Sequence, residues 1–170
     1  CESTLAFGKA EEPSPTLRRL NLAHLVGEVA EGEGLGAETQ ITCLIDIASG
    51  LMVRADGEQL YRVLSNLIRN ARQAIEATGQ PGTIEVSAGE DETEWWIRVG
   101  DTGPGLPAKA REHLFAAFQG GARKGGIGLG LAIAAELVRG HGGQLELARS
   151  DSDGTEFLIH LPKATTDTDG

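Results

Sequence analysis

Ile84, Val86 and Ala88 alternate with Thr83, Glu85 and Ser87, and a little further on Trp95, Ile97 and Val99 alternate with Trp96 and Arg98. Alternation with a period of two puts one face of a strand on a core and the other in water. Two further runs near the end behave alike: 144–148 with Leu145 and Leu147, and 155–161 with Phe157, Ile159 and Leu161 on one side. Elsewhere the apolar spacing is helical. Leu22, Leu25, Val26 and Val29 form a stripe that Gly32 and Gly34 end. A longer helix opens at Asp56, where Asp-Gly-Glu-Gln is an acidic variant of the capping box with Gln59 three places on, and it stops before Gly79 and Pro81. A short helix is expected around 108–118 and a strong one over 129–140. Runs at 40–47 and 51–54 read as two strands around the Ser49-Gly50 turn. Half-wet strands interleaved with helices predict a two-layer α/β sandwich, a sheet covered by helices on one face.

At 170 residues and 40% hydrophobic content the chain can bury a full core and fits one domain. Residues 1–20, polar and with two prolines, read as a linker from a preceding element. The domain itself is expected over 21–163, and 164–170 as a disordered tail. The chain opens on Cys1 rather than Met and is expected to be a piece of something longer. A net charge of -10, with no basic run beyond Arg18-Arg19 and Arg123-Lys124, argues against nucleic acid and against direct contact with an anionic membrane. Any anionic ligand must be held locally. Two cysteines, Cys1 and Cys43, make no disulfide framework and point to a reducing, cytoplasmic setting. The longest apolar run, IGLGLAIAA, is far short of the ~20 residues of a membrane helix.

The candidate chemistry begins with NLIRNARQAI, residues 66–75. Leu60, Val63, Leu64, Leu67, Ala71, Ala74 and Ile75 form one apolar stripe, with Arg62, Arg69, Gln73 and Glu76 opposite. Asn66 and Asn70 lie roughly 40° apart on the shoulder between the two faces. Such a pair faces a cleft beside the core or hydrogen-bonds a neighbouring loop, and this stretch alone does not separate the two. Downstream, DTGPG at 101–105 puts Asp101 at a strand end beside backbone kept bare by Gly103 and Gly105. GGIGLGLAI then opens a helix with Gly126, Gly128 and Gly130, which leaves free N–H groups and a positive dipole end for phosphate. Neither a dinucleotide fingerprint nor a P-loop fits: Leu131 occupies the last fingerprint position, and Lys124 is followed by glycines.

Taken together, these motifs resemble the catalytic ATP-binding domain of bacterial sensor histidine kinases, of the Bergerat-fold group shared with DNA gyrase, heat-shock chaperone and mismatch-repair ATPases. NLIRNARQAI resembles the N box, DTGPGLP the first glycine box, LFAAF the F box, GGIGLGLAI the second glycine box, and DGTEF the last, over about residues 20–162. The resemblance implies that the sheet is mixed and mostly antiparallel, and it implies ATP and Mg²⁺ as cofactors. It makes Asn70 a Mg²⁺ ligand, with Asn66 supporting the same metal and phosphate region, and both catalytic. It makes Asp101 the adenine reader, Thr155 its helper, and Gly103 and Gly105 the bare backbone beside them. Gly126, Gly128, Leu129 and Gly130 would lie against the phosphates. Phe115 would sit in a lid, from which Arg123 and Lys124 reach the triphosphate; solvated loop charges are the alternative for those two.

Hydrolysing relatives carry glutamate four places before the metal asparagine. Asn66 stands there instead, and an amide cannot accept a proton from water, so the resemblance implies transfer to histidine rather than hydrolysis. None of His24, His113, His141 and His160 has the flanks of the family's acceptor. The acceptor is therefore expected on an upstream dimerisation domain, whose end LAFGKAEEP resembles, with a response-regulator receiver domain as the next partner. The fragment is expected to be monomeric and its parent a homodimer that a membrane segment can anchor. Gln73 replaces a common lysine, Ile127 a small hydroxyl residue, and Trp96 reads as a contact for a partner domain. A regulatory module without transfer and an anti-sigma-type serine kinase are the competing expectations.

Overall fold

A computed structural model describes residues 14–35, 40–106 and 129–163. Two antiparallel hairpins make the bulk of the main sheet: β4 (Gly82–Glu90) with β5 (Glu94–Asp101), and β6 (Gln144–Asp151) with β7 (Gly154–Pro162). They join through antiparallel pairing of β5 with β7. An earlier strand, β2 (Ile41–Asp46), adds in parallel to β4, so the order is β2-β4-β5-β7-β6 and the sheet is mixed, mostly antiparallel. Ile84, Val86, Ile97, Val99, Leu145, Phe157, Ile159 and Leu161 are buried on one face, while Glu85, Arg98 and Glu146 on the other are exposed. The expected alternation is therefore the observed one.

Helices cover the buried face. The central one is α2 (Gly57–Glu76), which packs on β4 and β5 with α1 (Leu22–Gly32) on one side and α3 (Leu129–Gly140) on the other. Its apolar stripe, Leu60, Val63, Leu64, Leu67, Ala71 and Ile75, is buried together with Ile68. This is the expected two-layer α/β sandwich. Asn21 caps α1 by accepting from the His24 N–H, and Asp56 caps α2 by accepting from the Gln59 N–H at 3.1 Å. The other carboxylate oxygen of Asp56 accepts from the Thr16 N–H, and its own N–H donates to His141 Nε2 at 3.0 Å. His141 must then donate from Nδ1 to the Leu137 carbonyl, so this histidine ties the start of α2 to the end of α3.

The runs at 40–47 and 51–54 are strands around the Ser49-Gly50 turn, as expected, but they do not pair with each other. β3 (Met52–Ala55) pairs antiparallel with β1 (Arg18–Asn21) in a separate two-stranded sheet, with Arg18 opposite Ala55. The end of the expected linker is thus strand, because its backbone finds a partner beyond α1 and β2. Trp96 does face outward, yet its ring lies over Gly89 and carries the Arg98 guanidinium 5.3 Å from its centroid, so part of its surface is covered within the sheet. The helix expected at 108–118, and His113 and Ile127, lie outside the described residues.

His160, on the same outer face, sits between Glu94, 3.2 Å from Nδ1, and Glu146, 2.9 Å from Nε2. Partial burial pulls its pKa down, but the two carboxylates outweigh that and hold it above the usual value. A raised folded pKa favours the folded state in full below the unfolded value, about 6.5, and that contribution is lost as pH rises through the folded value. The melting-temperature gap between the parent and His160→Gln should therefore be widest near pH 6 and close towards pH 9. A gap independent of pH would show that the carboxylates do not hold a charged ring.

Candidate functional site

Asn66, Asn70 and Ala74 follow one another at intervals of four on α2, so they form a row along one side of the helix, roughly 12 Å from end to end. The row runs between two glycines. At the Asn66 end lies Gly130, in the first turn of α3, where a Cβ would come 3.1 Å from Asn66 Oδ1. At the Ala74 end lies Gly103, where a Cβ would come 3.0 Å from Asp101 Oδ1 and 3.2 Å from the Ala74 Cβ. Bare backbone at both ends lets the loop after β5 and the start of α3 close on the row.

Asp101 ends β5 and is only 8% exposed. Burial pushes its carboxyl above the usual carboxylate range, against backbone hydrogen bonds from Gly103 and Thr155 and the charge of Arg149. The Gly103 N–H donates to Oδ1 at 2.8 Å. A buried carboxylate with capacity left over is a strong acceptor for a ligand N–H. Opposite it in the β5–β7 register stands Thr155, also buried, with its hydroxyl 3.3 Å from Ser150 Oγ. Ser150 Oγ also accepts from the Leu106 N–H at 2.8 Å, which fastens the glycine loop to β6. Gly105, at φ +85, lies so close to the Asp151 carbonyl that a side chain has no room.

The two asparagines differ. Asn66 Oδ1 accepts from Arg69 Nη1 at 3.3 Å. Among the described residues the half-buried Asn70 side chain has no hydrogen-bond partner. An uncommitted, half-buried amide is a polar group that a ligand or hydrated ion can satisfy. Its oxygen is a hard neutral donor of the kind Mg²⁺ accepts beside phosphate oxygens, and the bare backbone at Gly103 next to a buried acceptor suits a flat base. The residues present therefore fit both groups.

Of the residues singled out from sequence, the fold brings Asn66, Asn70, Asp101, Gly103, Gly105, Gly130 and Thr155 to this one region. Leu129 opens α3. Phe115, Arg123, Lys124, Gly126 and Gly128 lie outside the described residues. Sequence reasoning missed Ser150 and the network around Arg69, which is not a plain solvent-face residue: it reaches Glu33 at 3.1 Å from the end of α1. Nothing near Arg69 in the chain signals that contact, since Glu33 is 36 positions away.

Comparison with known proteins bears on the same region. Residues 55–165 match the family model described as histidine kinase-, DNA gyrase B- and HSP90-like ATPase. Among curated relatives, the C4-dicarboxylate transport sensor protein DctB of Rhizobium meliloti is 39% identical over 115 residues, covering 68% of this chain and 18% of that protein. Sensor histidine kinase ZraS of Escherichia coli is 37% identical over 117 residues, covering 69% and 24%. This chain thus spans about a quarter or less of the length of these two relatives. Among solved structures, the catalytic domain of histidine kinase ThkA superposes with a TM-score of 0.72 at 27% identity, covering 87% of this chain and 96% of that one. Full-length ShkA in complex with AMPPNP gives 0.72 at 31% identity, covering 94% and 33%. The matched segment begins at the foot of β3 and takes in α2, the glycine loop, α3 and the closing hairpin, all the elements that build the site, and on that ground the chain belongs to the histidine kinase-, DNA gyrase B- and HSP90-like ATPase family.

Proposed function

We propose that this domain binds Mg·ATP and transfers the γ-phosphate to a histidine on an upstream dimerisation domain, as one step of two-component signalling. The observation that carries the reading is the row of Asn66, Asn70 and Ala74, which spans from the start of α3 to the buried carboxylate of Asp101. A purine at the Asp101 end directs its phosphates along the row. There Asp101 accepts from the exocyclic amine, and Thr155 assists. Gly126, Gly128, Leu129 and Gly130 cradle the phosphates, with Arg123 and Lys124 reaching them from the segment of Phe115. Asn70 holds the cation, which neutralises phosphate charge, and Asn66 serves the same region. The row holds no carboxylate to take a proton from water, which favours transfer over hydrolysis. In the transfer the bond from phosphorus to the β,γ-bridging oxygen breaks, ADP leaves, and a phosphorus–nitrogen bond forms on the histidine ring.

The sensor protein and the sensor histidine kinase among the relatives support an acceptor domain and a receiver domain as partners. We infer, as part of the same proposal, that the reaction takes place in the cytoplasm. No helix among the described residues is long and apolar enough to cross a membrane. The isolated domain is expected to scatter light as a monomer.

Nucleotide titration with and without Mg²⁺, on the parent and on Asn70→Ala, tests the reading. The parent should bind ATP more tightly with Mg²⁺, and Asn70→Ala should lose about tenfold in affinity along with most of that dependence. Equal binding by both would remove Asn70 from the site. With labelled ATP and a helical acceptor domain, acid-labile label supports histidine transfer. Acid-stable label would favour the serine-kinase reading, and no label a regulatory module.

A further inference from the structure

The amide of Asn66 has two ends of opposite chemistry, and Arg69 decides which one a ligand meets. A guanidinium only donates, so the Asn66 atom 3.3 Å from Arg69 Nη1 must be the oxygen, and the NH₂ is turned from it. Arg69 is itself held. Its Nη2 donates to Glu33 Oε2 and to Ser65 Oγ, both at 3.1 Å, and Ser65 Oγ donates to the same Glu33 oxygen at 2.9 Å. The other Glu33 oxygen takes Arg72 Nη2 at 3.2 Å, and Arg72 Nη1 reaches Glu76. Burial raises the Glu33 pKa, but hydrogen bonds from Ser65, Arg69 and Arg72 outweigh it and keep the carboxyl below its usual range. Two helices therefore fix one guanidinium, while Gly130 closes on Asn66 Oδ1 from α3. Among the described residues nothing is hydrogen-bonded to Asn66 Nδ2.

We propose that Arg69, anchored by Glu33, is a positioning residue that presents the NH₂ of Asn66, and not its oxygen, to the triphosphate end of the nucleotide. The inference rests on the nucleotide reading above and refines it. A divalent cation on Asn66 Oδ1 would sit against the guanidinium already there, and like charges repel. The two asparagines accordingly divide the work: the uncommitted amide of Asn70 offers oxygen to a cation, and Asn66 donates to a phosphate oxygen.

The test compares Arg69→Met, Asn66→Ala and the double variant in titrations with ATP and with AMP, each with and without Mg²⁺. Each single variant should lose about tenfold in ATP affinity. The double variant should lose no more than the singles, because one residue acts through the other. AMP, which lacks the outer phosphates, should bind all of them like the parent, and ATP should keep its Mg²⁺ dependence in all three. Glu33→Gln should repeat the ATP-specific loss, and Arg69→Lys should recover only part of it, since one ammonium cannot fork between Asn66 and Glu33. In ¹H–¹⁵N spectra the Asn66 NH₂ pair should shift on addition of ATP in the parent and not in Arg69→Met. Additive losses, equal loss of AMP, or an Arg69→Met that binds ATP like the parent would each overturn the positioning role while leaving the nucleotide reading intact. A parent that binds neither ATP nor AMP would instead overturn that reading, and this inference with it.

Discussion

Asp101→Asn should abolish measurable ATP binding, weakening it by at least about 100-fold, without lowering the stability of the nucleotide-free domain. The amide retains one oxygen for the Gly103 N–H, now 2.8 Å from Oδ1, but it turns an NH₂ towards the position of a purine amine. Donor then meets donor in a site where neither can reach water. The stability half of the expectation follows from the raised pKa of Asp101, whose first cause is burial. A carboxyl with a folded pKa above its unfolded value, about 3.9, binds its proton more tightly when folded. Folding therefore carries a penalty that begins as pH rises through the unfolded value and is complete above the folded one. Asparagine has no such penalty, so at pH 7 the variant should melt at or above the parent's temperature, and the difference should vanish towards pH 3. Calorimetric titration with ATP and melting curves at the two pH values give both answers. Retained binding would take the purine reader's role from Asp101, and a collapse in melting temperature would make the residue structural.

Gly154→Ala should cost about 3 kcal/mol of stability and weaken the nucleotide site with it, because φ is +148 there and a Cβ would run into the Asp101 carbonyl and press on the Thr102 Cα at 3.3 Å. Both obstacles are backbone, which cannot swing aside as a long side chain does. Gly154 also precedes Thr155 and pairs opposite Asp151 in the closing hairpin, so any shift moves the wall on which Asp101 and the glycine loop rest. Gly27→Ala is the matched control. That glycine lies inside α1 and, apart from its chain neighbours and the helix's own backbone, no atom lies within 4 Å of the position a methyl would take, so alanine there should gain up to about 1 kcal/mol. Urea unfolding of the three proteins measures the contrast. A Gly154→Ala variant as stable as the parent would mean that the two hairpins do not meet as tightly as described.

Much of the site was legible as spacing. Two asparagines four apart on an amphipathic helix must share a side of it, and a carboxylate directly after an alternating strand must lie at the sheet's end. The glycines of DTGPG and of the α3 start are readable because bare backbone has few other uses beside such residues. The Arg69 network was not legible. Helical spacing put Arg69 opposite the apolar stripe, and on the isolated helix that is where it lies. It is partly buried because Glu33 arrives from the end of α1 with a carboxylate only 11% exposed. Ser150 escaped for a related reason, since its role depends on the Leu106 N–H, 44 positions earlier.

Periodicity is a property of a few consecutive residues, and it was enough to say which segments are helix or strand, which side of each faces inward, and that helices must cover one face of a sheet. It carries no record of which strand lies beside which. That β2 runs parallel to β4 instead of folding back on β3, and that β3 takes the end of the N-terminal segment as its partner, follow from how whole apolar faces fit together and which backbone edges remain unpaired. The same holds for Asn66. Its place on α2 is local chemistry, but the direction of its amide is set by a guanidinium that only the packing of α1 against α2 holds in place.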